Sequence, residues 1–351
     1  MLSFKSDVKY HYHTEVILHF VAFRLDSSNI IGSGHMQRCV TLALYLKSRH
    51  IDSVFITQVL DGDFDFIALE NGFSVLKVTA PENPLSTYTE LTKKNINTLI
   101  IDNYSLSADY ESYFVDLGIK VIVIDDLDNR PHNCQALIDQ NYKSDYTMAY
   151  KNHTPAVCKL FLGPEFALIR PEFFTQRKAL PAQQTFFVFF GSADPSGETL
   201  RFIRETAQIE LSPFQFKIIV SKGNAYIDDI NASVKNKNHI LYFSPPHIAE
   251  LMSQCDTYFG SGGSITWERI ALGLNGITVS VADNQVKGCL DLHNDNYHLY
   301  LGEASSVFYG DIVKIVTQFN SKKFRNSLAI KPRVENIEKM TEFILNQIEN
   351  R

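Results

Sequence analysis

The chain is short of several residue types, and each shortage narrows what it can be. Its 351 residues include a single tryptophan, five methionines and five cysteines. Cys39, Cys134, Cys158, Cys255 and Cys289 are far apart and form no CxxC pair, so free thiols are expected rather than a disulfide framework or a structural zinc. No apolar run approaches the roughly 20 residues that cross a bilayer, so no membrane contact is expected. Residues 1–15 are polar and aromatic, without the apolar core of a signal peptide. They read as an N-terminal extension of a cytoplasmic protein. No basic stripe stands out and the formal net charge is −6, which speaks against nucleic-acid binding. There is no GxxxxGK[ST] phosphate loop and no GxSxG nucleophile turn, which disfavours a P-loop NTPase and a serine hydrolase.

What is present is alternation. Apolar, often β-branched runs at 16–23, 53–57, 74–78, 98–102, 120–124, 186–190, 216–220, 239–242, 256–259 and 276–281 read as strands. Helical patterns at 36–48, 63–70, 108–117, 197–208, 247–254, 265–272 and 334–348 fall between or after them. Short connections between such runs imply parallel, doubly wound α/β sheets. The strands are too many for one comfortable sheet. Prolines at 155, 164, 171 and 181 break the segment 142–185, which suits a linker between two similar units. Ligands of such sheets bind beyond the carboxyl ends of the strands, so the residues that follow strands matter most.

Gly32-Ser33-Gly34-His35-Met36-Gln37-Arg38 follows the first strand and opens a helix. Its glycines permit positive φ and close backbone approach. The turn gathers N–H groups where negative charge is welcome, and His35 adds a side chain suited to proton transfer near neutral pH. The same residues would also serve a plain chain reversal with a solvated histidine. Phe259–Glu268 runs from strand to helix through Gly262-Gly263-Ser264, whose N–H and hydroxyl donors suit a diphosphate, while Glu268 could accept ribose hydroxyls or simply favour the helix start. Gly191 and Ser192 follow another strand, and Asp194-Pro195 looks like a helix cap. Asn284 and Gln285 offer amides to sugar or phosphate, with Asp283 suited to a cap. Asp102-Asn103-Tyr104 and Asp125-Asp126-Leu127-Asp128 also follow strands. The acidic turn could bind a divalent metal or be a solvated turn, and Tyr104 could enter the cleft or merely pack.

These pieces occur in a specific order together with Phe23-Arg24-Leu25-Asp26-Ser27-Ser28, Arg130-Pro131-His132, Cys134, Asp139-Gln140-Asn141-Tyr142 and Gly163-Pro164-Glu165 through Arg170-Pro171. Over roughly residues 20–290 the pattern resembles the UDP-sugar hydrolases of pseudaminic acid biosynthesis. It departs from them at Leu25, Asn103 and Ser105 and fades after Gln285. The resemblance implies a GT-B fold: two Rossmann-like, doubly wound domains facing a cleft. Residues 16–160 would carry the catalytic base and residues 161–351 would bind UDP. It implies His35 as base and Tyr104 as the group that orients water or sugar. Arg24, Asp26, Gly34 and Arg38 would bind substrate from the first unit, with Arg170 near the join. Gly191, Ser192, Ile248, Ser261, Gly262, Gly263 and Ser264 would bind it from the second. Glu268 would grip the ribose, and Asn284 and Gln285 the diphosphate and sugar. No cofactor and no metal are implied. The expected reaction is inverting, metal-independent hydrolysis of a UDP-linked diacetamido-trideoxyhexose to UDP and free sugar. A GT-B glycosyltransferase using the same UDP site and a non-catalytic nucleotide-sugar binding protein are the alternatives.

Overall fold

The computed structural model describes residues 19–174, 184–319, 323–324 and 327–349. The expected extension 1–15, the start of the first expected strand at 16–18 and residues 175–183 of the expected linker lie outside the described residues. The first sheet holds β1 (His19–Leu25), β2 (Ile51–Gln58), β3 (Ser74–Val78), β4 (Thr98–Asp102), β5 (Lys120–Ile124), β6 (Ala136–Asp139) and β7 (Lys159–Leu162), in the order β3-β2-β1-β4-β5-β6-β7. The second holds β8 (Thr185–Phe189), β9 (Gln215–Val220), β10 (His239–Phe243), β11 (Thr257–Ser261), β12 (Asn275–Ser280) and β13 (Leu299–Glu303), in the order β10-β9-β8-β11-β12-β13. Every pair is parallel. Helices α1 (Gly34–Lys47), α2 (Asp65–Glu70), α3 (Pro84–Lys93) and α4 (Ala108–Asp116) connect strands of the first sheet. Helices α5 (Glu198–Glu205), α6 (Ile227–Ser233), α7 (Ile248–Ser253), α8 (Ile265–Ala271) and α9 (Asp283–Asn294) do so in the second, followed by α10 (Ile312–Gln318) and α11 (Val334–Glu349).

The strands read as unbroken apolar runs because both faces of each sheet are covered. In β1, Val21, Phe23 and Leu25 enter one core while Ala22 enters the core on the opposite face. In β8, Phe186 and Val188 face one way and Phe187 and Phe189 the other. Three strands escaped the sequence reading. β6 is only ALID, and β7 and β13 are half-covered edge strands with weaker patterns. Helix α3 begins with Pro84 after an Asn83 cap that accepts from the Leu85 N–H, a start signal without a strong apolar stripe. Helix α9 is polar and buries only Cys289 and Leu292.

Two findings alter the expected layout. β7 lies inside the stretch 142–185 read as linker and completes the first sheet. The last helix, α11, expected among residues 161–351 of the second unit, returns to the first: Ile337, Met340, Ile344 and Ile348 join the core of Val21, Phe23 and Leu25. The amphipathic pattern marks the buried stripe of a helix but not which sheet it covers.

The segment after β9 meets the segment after β2. Lys222 and Gly223, after β9, meet the first unit's α2 region: the Lys222 ammonium pairs with Glu70 and lies 3.9 Å above the Phe66 ring. A side chain at Gly223 would strike the Phe64 ring. Tyr142 donates to Asp295 at 2.8 Å, and the Tyr45 hydroxyl to the Ile169 carbonyl at 3.4 Å.

Candidate functional site

In the first sheet the strand order reverses between β1 and β4, which pair with Leu25 opposite Asp102. Chains leaving such a point part and leave a crevice. After β1 the backbone closes a turn in which the Gly32 N–H donates to the Ser28 carbonyl at 2.7 Å and the Ile30 and Ile31 N–H groups donate to Ser28 Oγ at 3.2 and 3.1 Å. Gly32 has φ +85°, which explains its glycine. Gly34 does not need the residue for φ; the space before it is open, with nothing within 4 Å of where a Cβ would lie.

That turn puts His35 in the first turn of α1, nearly buried, with Nδ1 2.6 Å from Asp102 Oδ1. An ionised carboxylate only accepts, so in the neutral imidazole this contact favours the tautomer with the proton on Nδ1 and the lone pair on Nε2. Among the described residues, no hydrogen bond engages Nε2. One helical turn on, Arg38 grips the same carboxylate with Nε on Oδ2 and an Nη on Oδ1, both at 2.6 Å. Its other Nη donates to Asp126 Oδ2 at 2.5 Å, the oxygen that also accepts from the Tyr104 hydroxyl at 2.5 Å. The Tyr104 ring meets His35 edge-on, centroids 4.7 Å apart.

Burial by itself would raise the Asp102 carboxyl, but Arg38 and His35 outweigh it and hold the group well below the usual carboxylate range. Burial and the Asp126 charge push the Tyr104 phenol up, so it remains a donor. For Arg38, burial disfavours the cation, yet Asp102 and Asp126 raise it further. The result is a histidine held in one tautomer by a buried, ionised carboxylate, the arrangement that orients a general base. The sequence points to His35 and Tyr104 as catalytic and to Arg38 as a substrate contact; the structure gathers the three, but Arg38 is committed to Asp102 and Asp126, and Asp102 has no role in the sequence reading. Its signal was a lone carboxylate ending the wholly buried strand TLIID.

Other expected residues sit elsewhere. Arg24 is completely buried, its guanidinium bonded to the Leu25 carbonyl and to Asp26, both at 2.8 Å. Asp26 also accepts from the Gln58 N–H and from Asn103 Nδ2 at 2.8 and 2.6 Å. The pair ties together the chain ends of β1, β2 and β4, and Arg24 presents no surface to the cleft. The acidic turn diverges: Asp125 faces Arg130 at 2.9 Å, Asp126 faces Arg38, and Asp128 faces Lys143 at 2.8 Å. Among the described residues no group of three or more His, Cys, Asp or Glu side chains could hold a metal ion.

The second sheet reverses between β8 and β11, and the loops after these strands carry the other expected residues. Gly191 has φ +120° with open space where a Cβ would point, and Ser192 beside it is half-buried. The expected cap at Asp194-Pro195 is displaced: Gly197 is the N-cap of α5 and Pro195 lies before the helix, while the Asp194 side chain reaches forward to accept from the Glu198 and Thr199 N–H groups at 2.9 Å. Ser261 is buried at the end of β11, and Ile248 opens α7 against the core. Gly262 is a packing glycine: a Cβ there would lie 2.0 Å from Cys289 Sγ, and its N–H already donates to Val279 at 3.0 Å. Gly263 and Ser264 are therefore the residues whose amides the turn can offer. Gln285 accepts from the Val281 N–H at 3.1 Å, with its Nε2 3.4 Å from where a Gly263 Cβ would stand, and Asn284 is exposed beside it.

Glu268, nearly buried in α8, is held by Arg170 in a two-pronged pair at 2.9 and 3.1 Å. Burial disfavours the Arg170 cation, but Glu268 raises it. A carboxylate has about four acceptor sites, so this grip leaves room for hydroxyl donors.

No family model matches the chain. Over 270 residues, 76% of this chain and 93% of the other, it is 27% identical to a UDP-2,4-diacetamido-2,4,6-trideoxy-beta-L-altropyranose hydrolase of Campylobacter jejuni. It is 24% identical over 271 residues to an uncharacterized protein of Methanocaldococcus jannaschii, covering 72% of this chain and 54% of that one. Among solved structures it is similar to Acinetobacter baumannii MurG, with a TM-score of 0.62 at 11% identity over 94% of this chain and 99% of that chain. It is also similar to the spinosyn rhamnosyltransferase SpnG complexed with thymidine diphosphate, with a TM-score of 0.61 at 12% identity over 94% and 96%. The fold is GT-B, as the sequence pattern implied.

Proposed function

We propose that the protein hydrolyses a UDP-linked diacetamido-trideoxyhexose to UDP and free sugar, with inversion and without a metal. The observation that carries the reading is the His35–Asp102 pair at 2.6 Å, set where the strand order of the first sheet reverses. The similarity to the Campylobacter jejuni hydrolase supplies the substrate class. Water attacks the anomeric carbon and gives its proton to His35 Nε2. The C–O bond to the diphosphate breaks and UDP departs with the electron pair. Asp102 holds the Nδ1–H tautomer and balances the imidazolium as it forms. Arg38 fixes Asp102, and Tyr104, anchored through Asp126, positions water or sugar beside the imidazole.

UDP is a competent leaving group, so an acid carboxylate is not required. What is required is donors for the charge growing on the diphosphate. Gly263 and Ser264 offer amides, Ser192 a hydroxyl, and Asn284 and Gln285 amide side chains from α9. Glu268 accepts the ribose hydroxyls while Arg170 holds it in place. Asp125, Asp126 and Asp128 face three different cations, so the acidic turn is not assigned as a metal site, and the donors proposed for the diphosphate are neutral.

The test is UDP release from UDP-linked diacetamido-trideoxyhexoses with no acceptor present, followed by the anomeric form of the first-formed sugar. Free inverted sugar in step with UDP is expected. Turnover only after an acceptor is added would make the protein a transferase. Tight UDP binding without turnover, unchanged in His35→Asn, would make it a binding protein.

A further inference from the structure

Cys134 and Cys158 lie outside this site. Cys134 stands just before β6 and Cys158 just before β7, where the pairing of the two strands is extended by a Lys159 N–H bond to the Gln135 carbonyl at 2.9 Å. The ladder thereby brings the two side chains together, with Sγ atoms 3.7 Å apart. That is van der Waals contact between thiols, and a rotamer change separates it from a bond of about 2.05 Å. Cys39, Cys255 and Cys289 are buried, whereas Cys158 is partly exposed. It closes a turn, its N–H bonded to the Pro155 carbonyl at 2.9 Å, and the neighbouring Val157 is 91% exposed. A small oxidant can reach Cys158 while Cys134 stays covered.

The surroundings divide the roles. His132, two residues before Cys134, is bonded to Glu111 at 2.8 Å with Asp125 3.8 Å away. Burial penalises its charge, but the Asp125 and Glu111 carboxylates outweigh this and push the ring up to about 9. A hydrogen bond from Cys134, and the His132 charge, draw the Cys158 thiol down, while the Cys134 thiol is pushed up. A thiolate beside a cation is the reactive form of cysteine.

We propose that Cys134 and Cys158 form an oxidisable dithiol, with Cys158 as the nucleophile toward peroxide and Cys134 as the thiol that resolves it to a disulfide. The Cys158 thiolate attacks one oxygen of hydrogen peroxide, the O–O bond breaks, and sulfenic acid and hydroxide form. Cys134 sulfur then attacks the sulfenyl sulfur and the S–O bond breaks. The oxygen leaves as water with the Cys134 proton, and the S–S bond joins β6 to β7. Both thiols are oxidised and peroxide is reduced to two waters.

The test treats the full chain with dilute hydrogen peroxide, then denatures it, alkylates the remaining thiols and maps peptides by mass spectrometry. Of the five cysteines, two are expected to escape alkylation, in a single Cys134–Cys158 cross-linked peptide that dithiothreitol reverses. In Cys134→Ser, dimedone should label Cys158, because the sulfenic acid has no thiol to resolve it. In Cys158→Ser, Cys134 should remain alkylatable. Full alkylation of all five cysteines in the oxidised protein, a cross-link involving another cysteine, or unresolved sulfenic acid on Cys158 while Cys134 is present would each overturn the proposal. The measurement on the unmodified sequence decides the cross-link even where a serine variant folds poorly.

Discussion

Replacing Asp102 with Asn tests the proton-transfer arrangement most directly, because it changes charge and hydrogen bonding with almost no change in shape. Asp102 accepts from His35 Nδ1 and from two nitrogens of Arg38, all at 2.6 Å, in a fully enclosed position. An asparagine there has one oxygen and one NH2 group to meet donors on both sides. With its oxygen toward His35, the useful tautomer survives, but the NH2 opposes Arg38 Nε and the negative charge that balances the imidazolium is gone. With its oxygen toward Arg38 Nε, the NH2 drives His35 to the Nε2–H tautomer and removes the base. The first orientation gives the lower end of a loss of about 10²–10⁴ in turnover, the second the upper end. In barrier height this is about 3–5 kcal/mol. Arg38 loses one of its two carboxylate partners, and breaking such a buried pair costs about 3–5 kcal/mol of stability, so melting curves must accompany the kinetics. UDP release should be followed in saturating UDP-sugar and UDP affinity by calorimetry. Affinity should hold, because the proposed nucleotide residues are on the other sheet. The double variant His35→Asn/Asp102→Asn should be no slower than the worse single variant, since both remove one device. A folded Asp102→Asn protein with near-normal turnover, or single losses that multiply in the double variant, would refute the pairing as the source of catalysis.

Glu268→Ala should weaken UDP binding by about 1–3 kcal/mol, through lost ribose bonds and an unpaired Arg170, and unchanged affinity in calorimetry would remove Glu268 from the nucleotide site. Turnover should survive EDTA; a loss restored by Mg²⁺ or Mn²⁺ would contradict the metal-free mechanism. His132, with its ring pushed up to about 9 by Asp125 and Glu111 against the cost of burial, stabilises the fold fully below its ordinary value near 6.5. That contribution, at most about 3 kcal/mol, should fade as pH rises through about 9. Urea unfolding from pH 6 to 10 should show the decline, and a His132→Gln variant with the same slope would assign it to other groups.

Much of the architecture was legible because it rests on local chemistry. Parallel strands buried on both faces must read as continuous apolar runs, as TLIID, KVIVI and TFFVF do. Gly32 announced a turn because its φ of +85° suits little else, and Asp194 announced a nearby helix start, although Gly197 rather than Asp194 is the N-cap. Short or polar elements were not legible, because ALID and the sparsely buried α9 carry too little apolar pattern to stand out.

Long-range pairing was decided elsewhere. His35 and Asp102 stand 67 residues apart, and only the adjacency of β1 and β4 brings them to 2.6 Å. Sequence showed a histidine after one strand and a carboxylate at the end of another; the order of strands in the sheet made them partners. The same holds for Arg170 and Glu268, 98 residues apart. It holds for Gly262, a glycine for the sake of Cys289 in α9, and for α11, whose apolar stripe returns to the first sheet. Local backbone conformation and the apolar pattern of an element are set by neighbours in the chain, so the sequence shows them. Which buried charge meets which donor is set by which strands lie side by side, and only the tertiary structure decides that.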